Sequence, residues 1–87
     1  MAKKARGLTK SLYLPEHRAL CEVLVAARRR AGLTQDSVSK RLKRPQSFVA
    51  KFEGGERRLD VIEFIAIAEA LEADPVKLLR QLLQRMT

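Results

Sequence analysis

The polar and basic side chains between residues 34 and 58 are suited to binding anions. Gln46, Ser47 and Lys51 lie within six residues of one another, and these side chains can form hydrogen bonds with the edges of nucleic-acid bases. Arginine and lysine side chains lie on both sides of this group and can bind phosphates, namely Lys43, Arg44, Arg57 and Arg58. The segment therefore has the components of a nucleic-acid site.

The same sequence offers little for catalysis or metal binding. His17 is the sole histidine and Cys21 the sole cysteine, and we find no Ser-His-Asp set and no carboxylate cluster suited to a metal. The absence of these sets argues against a hydrolase or nuclease. We therefore predict no enzymatic activity, and we predict no metal or other cofactor. Cys21 is expected to be a buried helical residue in a reducing cytoplasm, and His17 a partly exposed packing residue.

The charge distribution also favours a polyanionic partner. The net charge is +8, and residues 1–59 carry 15 Lys and Arg against 5 Asp and Glu, whereas residues 60–87 carry 3 against 5. This asymmetry indicates one surface made for polyanions, although basic ribosomal or membrane-surface proteins would look similar. No apolar run approaches the roughly 20 residues of a membrane span, and no signal peptide is evident. We expect a cytoplasmic protein without a membrane partner.

The elements that position these residues are predicted to be helices. With 87 residues, 46% hydrophobic content and few aromatic residues, the chain suits one domain of helices packed on helices. We predict a flexible basic arm over residues 1–12 and a single domain over 13–87. Caps and glycine stops at Gly32, Thr34, Asp60 and Asp74, together with apolar spacing, place helices at about 15–31, 35–42, 46–53, 61–71 and 75–86.

The second and third predicted helices form a helix-turn-helix at about residues 34–54. A short helix can enter the major groove only if another helix braces it, and Val38, Leu42, Val49 and Phe52 suit that brace. Over residues 16–80 the sequence resembles the phage repressor and Cro family, often called XRE-type. The resemblance is carried by Gly32-Leu33-Thr34-Gln35, Arg44-Pro45-Gln46-Ser47-Phe48-Val49-Ala50-Lys51-Phe52-Glu53, Gly55-Glu56-Arg57-Arg58, Ile67-Ala68-Glu69-Ala70-Leu71 and Asp74-Pro75.

This resemblance implies an all-α, five-helix, lambda-repressor-like domain that binds double-stranded DNA and regulates transcription. It implies base contacts from Gln46, Ser47 and Lys51, and we expect Phe48 to pack on a thymine methyl group unless it folds back as core cover. It also implies that Arg28 and Glu53 form a structural ion pair between the first and third helices. The phosphate contacts are expected from Thr34, Gln35, Lys43, Arg44, Arg57 and Arg58.

Lys43 departs from the family pattern, which usually has glycine at that position. The residue ends the second helix in a left-handed conformation, and a side chain there costs about 1 kcal/mol. We expect the cost to be tolerated because the Lys43 amine can reach the DNA backbone.

Two questions about partners stay open at this point. A single recognition helix reads few base pairs, so we expect a homodimer on a palindromic operator, with an interface on the last helix. The candidate interface residues are Leu79, Leu82, Leu83 and Met86, with Val61, Ile62 and Ile65 as possible additions; alternatively the last helix only closes the core. An antitoxin-type module that neutralises a protein partner and regulates its own operon is the second function, and the basic arm either contacts DNA or serves as a solubilising tail.

Overall fold

The computed structural model describes Gly7 and residues 14–86. The described part of the chain folds into five α-helices: α1 (Pro15–Arg30), α2 (Gln35–Leu42), α3 (Gln46–Glu53), α4 (Val61–Ala70) and α5 (Pro75–Arg85). All five predicted helices are present, and α1, α4 and α5 each end one residue earlier than expected. The residue that follows each of these three helices still donates its backbone N–H to a helical carbonyl, which explains the small difference. The expected basic arm lies almost entirely outside the described residues.

The helix starts are fixed by the side chains that the sequence places before them. The Thr34 side chain accepts a hydrogen bond from the Ser37 N–H at the start of α2, and Asp60 accepts one from the Glu63 N–H at the start of α4. In both cases the side chain at the third helical position bonds back to the cap residue's N–H, so each is a capping box. Asp74 caps α5 by accepting from the Val76 N–H.

Four helix ends share one feature, because the first or second residue after the helix adopts a left-handed backbone conformation. Gly32 and Gly55 adopt it with φ of 71° and 81°, and as glycines they do so without a steric penalty. Lys43 and Glu72 adopt it with φ of 55° and 57° despite their side chains. The left-handed position predicted for Lys43 is therefore confirmed, and Glu72 is a second such position that the sequence analysis did not identify.

The core is formed where α1 and α5 meet the α2, α3 and α4 group. Helix α1 packs on α3 and α5, α2 packs on α3 and α4, and α4 packs on α5. Val23, Leu24, Val38, Val49 and Ile67 are at most 1% exposed. The predicted brace of α3 is confirmed, because Val38, Val49 and Phe52 are buried and Leu42 packs against them. Among the described residues, no helix is long and apolar enough to cross a membrane.

Burial on α4 and α1 differs from what residue spacing suggested. Val61 and Ile65, which were named as possible interface residues, are 70% and 38% exposed, and Ile67 occupies the core. The reason is that α4 is apolar almost all the way round, so the spacing did not distinguish its two faces. His17 was expected to be partly exposed, but it is buried, with its Nε2 3.3 Å from the Gly55 carbonyl oxygen.

Candidate nucleic-acid interface

Helix α3 presents one polar face to solvent and one apolar face to the core. Gln46, Ser47 and Lys51 are exposed, whereas Val49 and Phe52 are buried. Pro45 precedes the helix in an extended conformation, with φ of −60° and ψ of 152°, and it cannot continue α2. The three polar residues predicted to meet bases are therefore brought together on the accessible side of a short braced helix.

A buried ion pair fixes α3 to the helices behind it. The Arg28 Nε donates to Glu53 Oε2 at 2.6 Å and its Nη2 donates to Glu53 Oε1 at 3.1 Å, so the predicted Arg28–Glu53 pair is present. A third donor, the Gln35 side-chain amide, reaches Glu53 Oε1 at 2.8 Å. The Arg28 Nη1 also donates to the Leu33 carbonyl oxygen at 2.9 Å. The Glu53 carboxylate thus joins the end of α3 to α1 and α2, and Arg28 bonds in addition to the turn after α1.

The side chains at the start of α2 form more hydrogen bonds within the protein than the sequence indicated. One N–H group of the Gln35 amide is already used by Glu53, which leaves only the other as an available donor. The Thr34 hydroxyl donates to Ser37 Oγ at 3.1 Å and accepts from the Ser37 N–H, so its single proton is engaged in the capping box. Ser37, three residues after Thr34, is a contributor that sequence reasoning missed, although a capping box with serine has a recognisable spacing.

Basic side chains lie at both ends of α3. Lys43 and Arg44 are exposed in the turn between α2 and α3, Lys51 is exposed in the last turn of α3, and Arg58 is exposed in the loop that follows. The described part of the chain therefore surrounds the outward face of α3 with positive charge. Such a rim is suited to the phosphates on either side of a groove.

The expected base contact from Phe48 is wrong, because the ring lies inside the protein. Phe48 is only 9% exposed and packs edge-on against Phe52, with ring centroids 5.6 Å apart. The guanidinium carbons of Arg44 and Arg57 each lie 4.7 Å from the centroid of the Phe48 ring. Phe48 and Phe52 are four residues apart and hence share one helix face, and this spacing could have favoured the core alternative.

Arg57 is held in the loop after α3 rather than extended into solvent. It donates to both carboxylate oxygens of Glu63, at 3.0 Å and 2.6 Å, and to the Arg58 carbonyl oxygen at 2.9 Å. The hydrogen bond from Arg57 lowers the pKa of Glu63, and the same bond raises the pKa of Arg57. Because Glu63 also accepts from the Asp60 N–H, this pair fixes the loop to the first turn of α4.

A second surface of the molecule is apolar. Six large apolar side chains on α4 and α5 are at least 38% exposed, namely Val61, Ile62, Ile65, Val76, Leu79 and Leu83. A groove of about 360 Å³ runs between the two helices, with Leu20 and Phe64 among its lining residues. Of the predicted interface residues, Leu79 and Leu83 are exposed, whereas Leu82 and Met86 are half-buried.

Comparison with known proteins shows which family and which solved structures the chain is similar to. A family model described as a helix-turn-helix domain matches residues 19–82. A search of curated protein sequences gives no significant match. Among solved structures, the XRE-family like protein from Pseudomonas syringae pv. tomato str. DC3000 is 49% identical, with a TM-score of 0.76, and the match covers 83% of this chain and 87% of that one.

More distant structures share the fold. The restriction-modification controller protein C.Esp1396I, solved as a tetramer in complex with its natural 35 base-pair operator, is 18% identical, with a TM-score of 0.75 and coverage of 82% and 93% of the two chains. The controller protein C.AhdI from Aeromonas hydrophila is 24% identical, with a TM-score of 0.67 and coverage of 72% and 96%. At these identities the similarity shows a common fold.

Proposed function

The chain belongs to the XRE-type family of helix-turn-helix DNA-binding regulators, and we propose that it is a dimeric repressor of a palindromic operator. The observation that carries this proposal is the outward face of α3, where Gln46, Ser47 and Lys51 are exposed above a buried brace. The complex of C.Esp1396I with its operator gives a precedent for this fold on DNA.

In this mechanism α3 lies in the major groove and its polar side chains read bases. The Gln46 amide can both donate to and accept from adenine, and the Lys51 ammonium can donate to the O6 and N7 of guanine. The Ser47 hydroxyl can contact either type of base edge. Because the Arg28–Glu53 pair and the buried Phe52 fix the helix, these side chains meet the bases without rearrangement of the backbone.

Phosphate contacts come from the basic rim and give affinity without sequence preference. Besides Lys51, which is assigned to the bases, Lys43, Arg44 and Arg58 are exposed cations of this rim, and the backbone N–H groups at the start of α2 add to them. We expect smaller side-chain contributions from Thr34, Gln35 and Arg57 than the sequence implied, because hydrogen bonds inside the protein already occupy part of their donor capacity.

The proposed dimer forms through the apolar surface of α4 and α5. One recognition helix covers too few base pairs to select an operator, and a two-fold dimer places two helices about 34 Å apart in successive major grooves. Val61, Ile62, Leu79 and Leu83 are each at least 46% exposed, which a monomer leaves in contact with water. A second copy of this chain would cover them.

The antitoxin alternative uses the same apolar surface to bind a different protein. Sedimentation of the purified chain separates the two possibilities. Dimers at micromolar concentration that are weakened by Leu83→Ser support self-association, with Val25→Ser as a control at a half-buried position on α1. A monomer at high micromolar concentration contradicts the proposed homodimer.

Selection of bound duplexes from a random-sequence pool tests the proposed function as a whole. We expect enrichment of a two-fold symmetric sequence whose half-sites lie about one helical turn apart. A pool that stays random after several rounds, although the protein binds duplex at low salt, contradicts sequence-specific regulation. Repression is then tested with the selected site placed over the promoter of a reporter gene.

A further inference from the structure

The side chain of Phe48 connects the hydrophobic core to the charged rim of the proposed DNA interface. Its ring packs against Phe52 at an interplanar angle of 69° and belongs to the buried cluster that includes Val38 and Ile67. The ring is thereby fixed from below by the core. The guanidinium groups of Arg44 and Arg57 lie over it at equal distances of 4.7 Å from its centroid.

The two arginines differ in what else holds them. Arg57 has the Glu63 carboxylate and the Arg58 carbonyl oxygen as hydrogen-bond acceptors, so its position does not depend on the ring alone. For Arg44, the described residues show no ion pair within 4.0 Å and no side-chain hydrogen bond, and the Glu63 carboxylate, which is paired with Arg57, acts on Arg44 only through its charge at longer range. The Phe48 ring, 4.7 Å from the guanidinium carbon, is therefore the direct side-chain contact that orients the guanidinium group of Arg44.

An arginine held in this way is prepared to bind an anion. A cation–π contact uses the charge of the guanidinium group, so the N–H groups remain available as donors. Holding a long side chain before binding reduces the conformational entropy that is lost on binding. Arg44 also lies two residues before Gln46, at the N-terminal end of α3. The helix dipole at this end favours a bound anion.

We propose that Phe48 is a positioning residue whose ring holds Arg44 at the start of α3, ready to bind a phosphate of the DNA backbone. This inference rests on the proposed DNA-binding function. In this role the buried Phe48 ring affects the affinity for every DNA sequence equally. A base contact from the same residue would instead change the sequence preference.

The test measures binding to a mixed-sequence duplex of about 20 base pairs, by fluorescence anisotropy at several salt concentrations. The variants are Phe48→Leu, Arg44→Gln and the double substitution. We expect Arg44→Gln to weaken binding about tenfold and to reduce the slope of log K against log[salt] by about 0.9, since its charge-assisted hydrogen bond to a phosphate is lost. We expect the same changes for Phe48→Leu, because Arg44 without the ring no longer keeps its contact with that phosphate. The double variant should be no weaker than Arg44→Gln alone.

Two controls separate positioning from packing. Phe48→Tyr keeps an aromatic face and should keep the original salt slope. Phe64→Leu removes a half-buried ring that contacts the groove of α4 and α5, and it should also leave the slope unchanged. Additive effects of Phe48→Leu and Arg44→Gln, or an unchanged slope in Phe48→Leu, would overturn the positioning role.

A measurement on the unmodified protein does not depend on whether Phe48→Leu folds. Ring currents from Phe48 should shift the side-chain proton resonances of Arg44 upfield in the NMR spectrum of the unbound protein. Resonances at random-coil positions would overturn the proposal. An unmodified protein that does not bind duplex even at low salt would instead overturn the DNA-binding function, and the role of Phe48 with it.

Discussion

Replacement of Glu53 by glutamine should destabilise the domain more than any exposed charge substitution. The Glu53 carboxylate accepts three hydrogen bonds, two from Arg28 and one from Gln35, and the side chains of Glu53 and Arg28 are only 7% and 14% exposed. The substituted amide offers one acceptor oxygen and directs an NH₂ group at these donors. The Arg28 charge is then left without its partner in a poorly solvated position.

We expect a loss of about 3–5 kcal/mol in the free energy of unfolding, as is typical when one partner of a buried pair is removed. For an 87-residue domain the total is roughly 4–13 kcal/mol, so this loss is a large part of it. The melting temperature should fall by at least ~12 °C. Urea unfolding followed by helical circular dichroism is the suitable assay, because the chain has no tryptophan.

Glu22→Gln is the matched control. Glu22 accepts from Arg85 at 3.1 Å, but the two side chains are 58% and 44% exposed, so water screens the pair and we expect a loss below about 1 kcal/mol. If Glu53→Gln lost no more than Glu22→Gln, the reasoning that α3 is held in place by a buried carboxylate would be refuted.

Three further predictions concern bases, backbone strain and pH. Gln46→Ala should weaken binding to the selected operator by about 1–3 kcal/mol and relax the preference at one base position, measured by competition among operator variants; an equal loss on all duplexes would contradict base reading. Lys43→Gly should raise the free energy of unfolding by about 0.5–1 kcal/mol by relieving the left-handed strain, yet reduce the salt slope of binding by about 0.9, whereas Glu72→Gly should change only stability. The pKa of Glu63 is lowered in the folded protein, chiefly by the Arg57 hydrogen bond, so its contribution is present above the unfolded pKa and is lost as pH falls through the folded one. Urea unfolding as a function of pH should therefore show a shallower decline below about pH 4 for Glu63→Gln, and an unchanged curve would contradict the assignment.

The helices were predictable because residues close to each helix end determine where the helix begins or stops. Proline or a capping side chain begins α1, α2, α4 and α5, and glycine lies within two residues of the ends of α1 and α3, so each boundary depends on residues within one turn. The apolar surface was harder to assign. Every turn of α4 carries large apolar residues on both sides, and only the packed structure shows that Ile67 faces the core while Ile62 faces solvent.

The sequence analysis predicted which charged residues belong to the site more reliably than it predicted their contacts. The Arg28–Glu53 pair followed from the family resemblance, whereas the contact of Arg57 with Phe48 joins residues nine positions apart through a loop of irregular backbone. No periodicity relates such positions, so the stacking of Arg57 on a ring and its bonds to Glu63 could not be predicted from residue spacing. The engagement of Gln35 by Glu53 was missed for the same reason, since it links two helices across the turn.

The most direct test of the account is an NMR titration of the isotopically labelled protein with the duplex recovered by selection. We expect the largest changes in backbone amide resonances in residues 43–51, at the start and along the exposed face of α3, with smaller changes at the start of α2 and in the loop at 57–58. Changes confined to α1 or α5, with α3 unaffected at saturation, would contradict it.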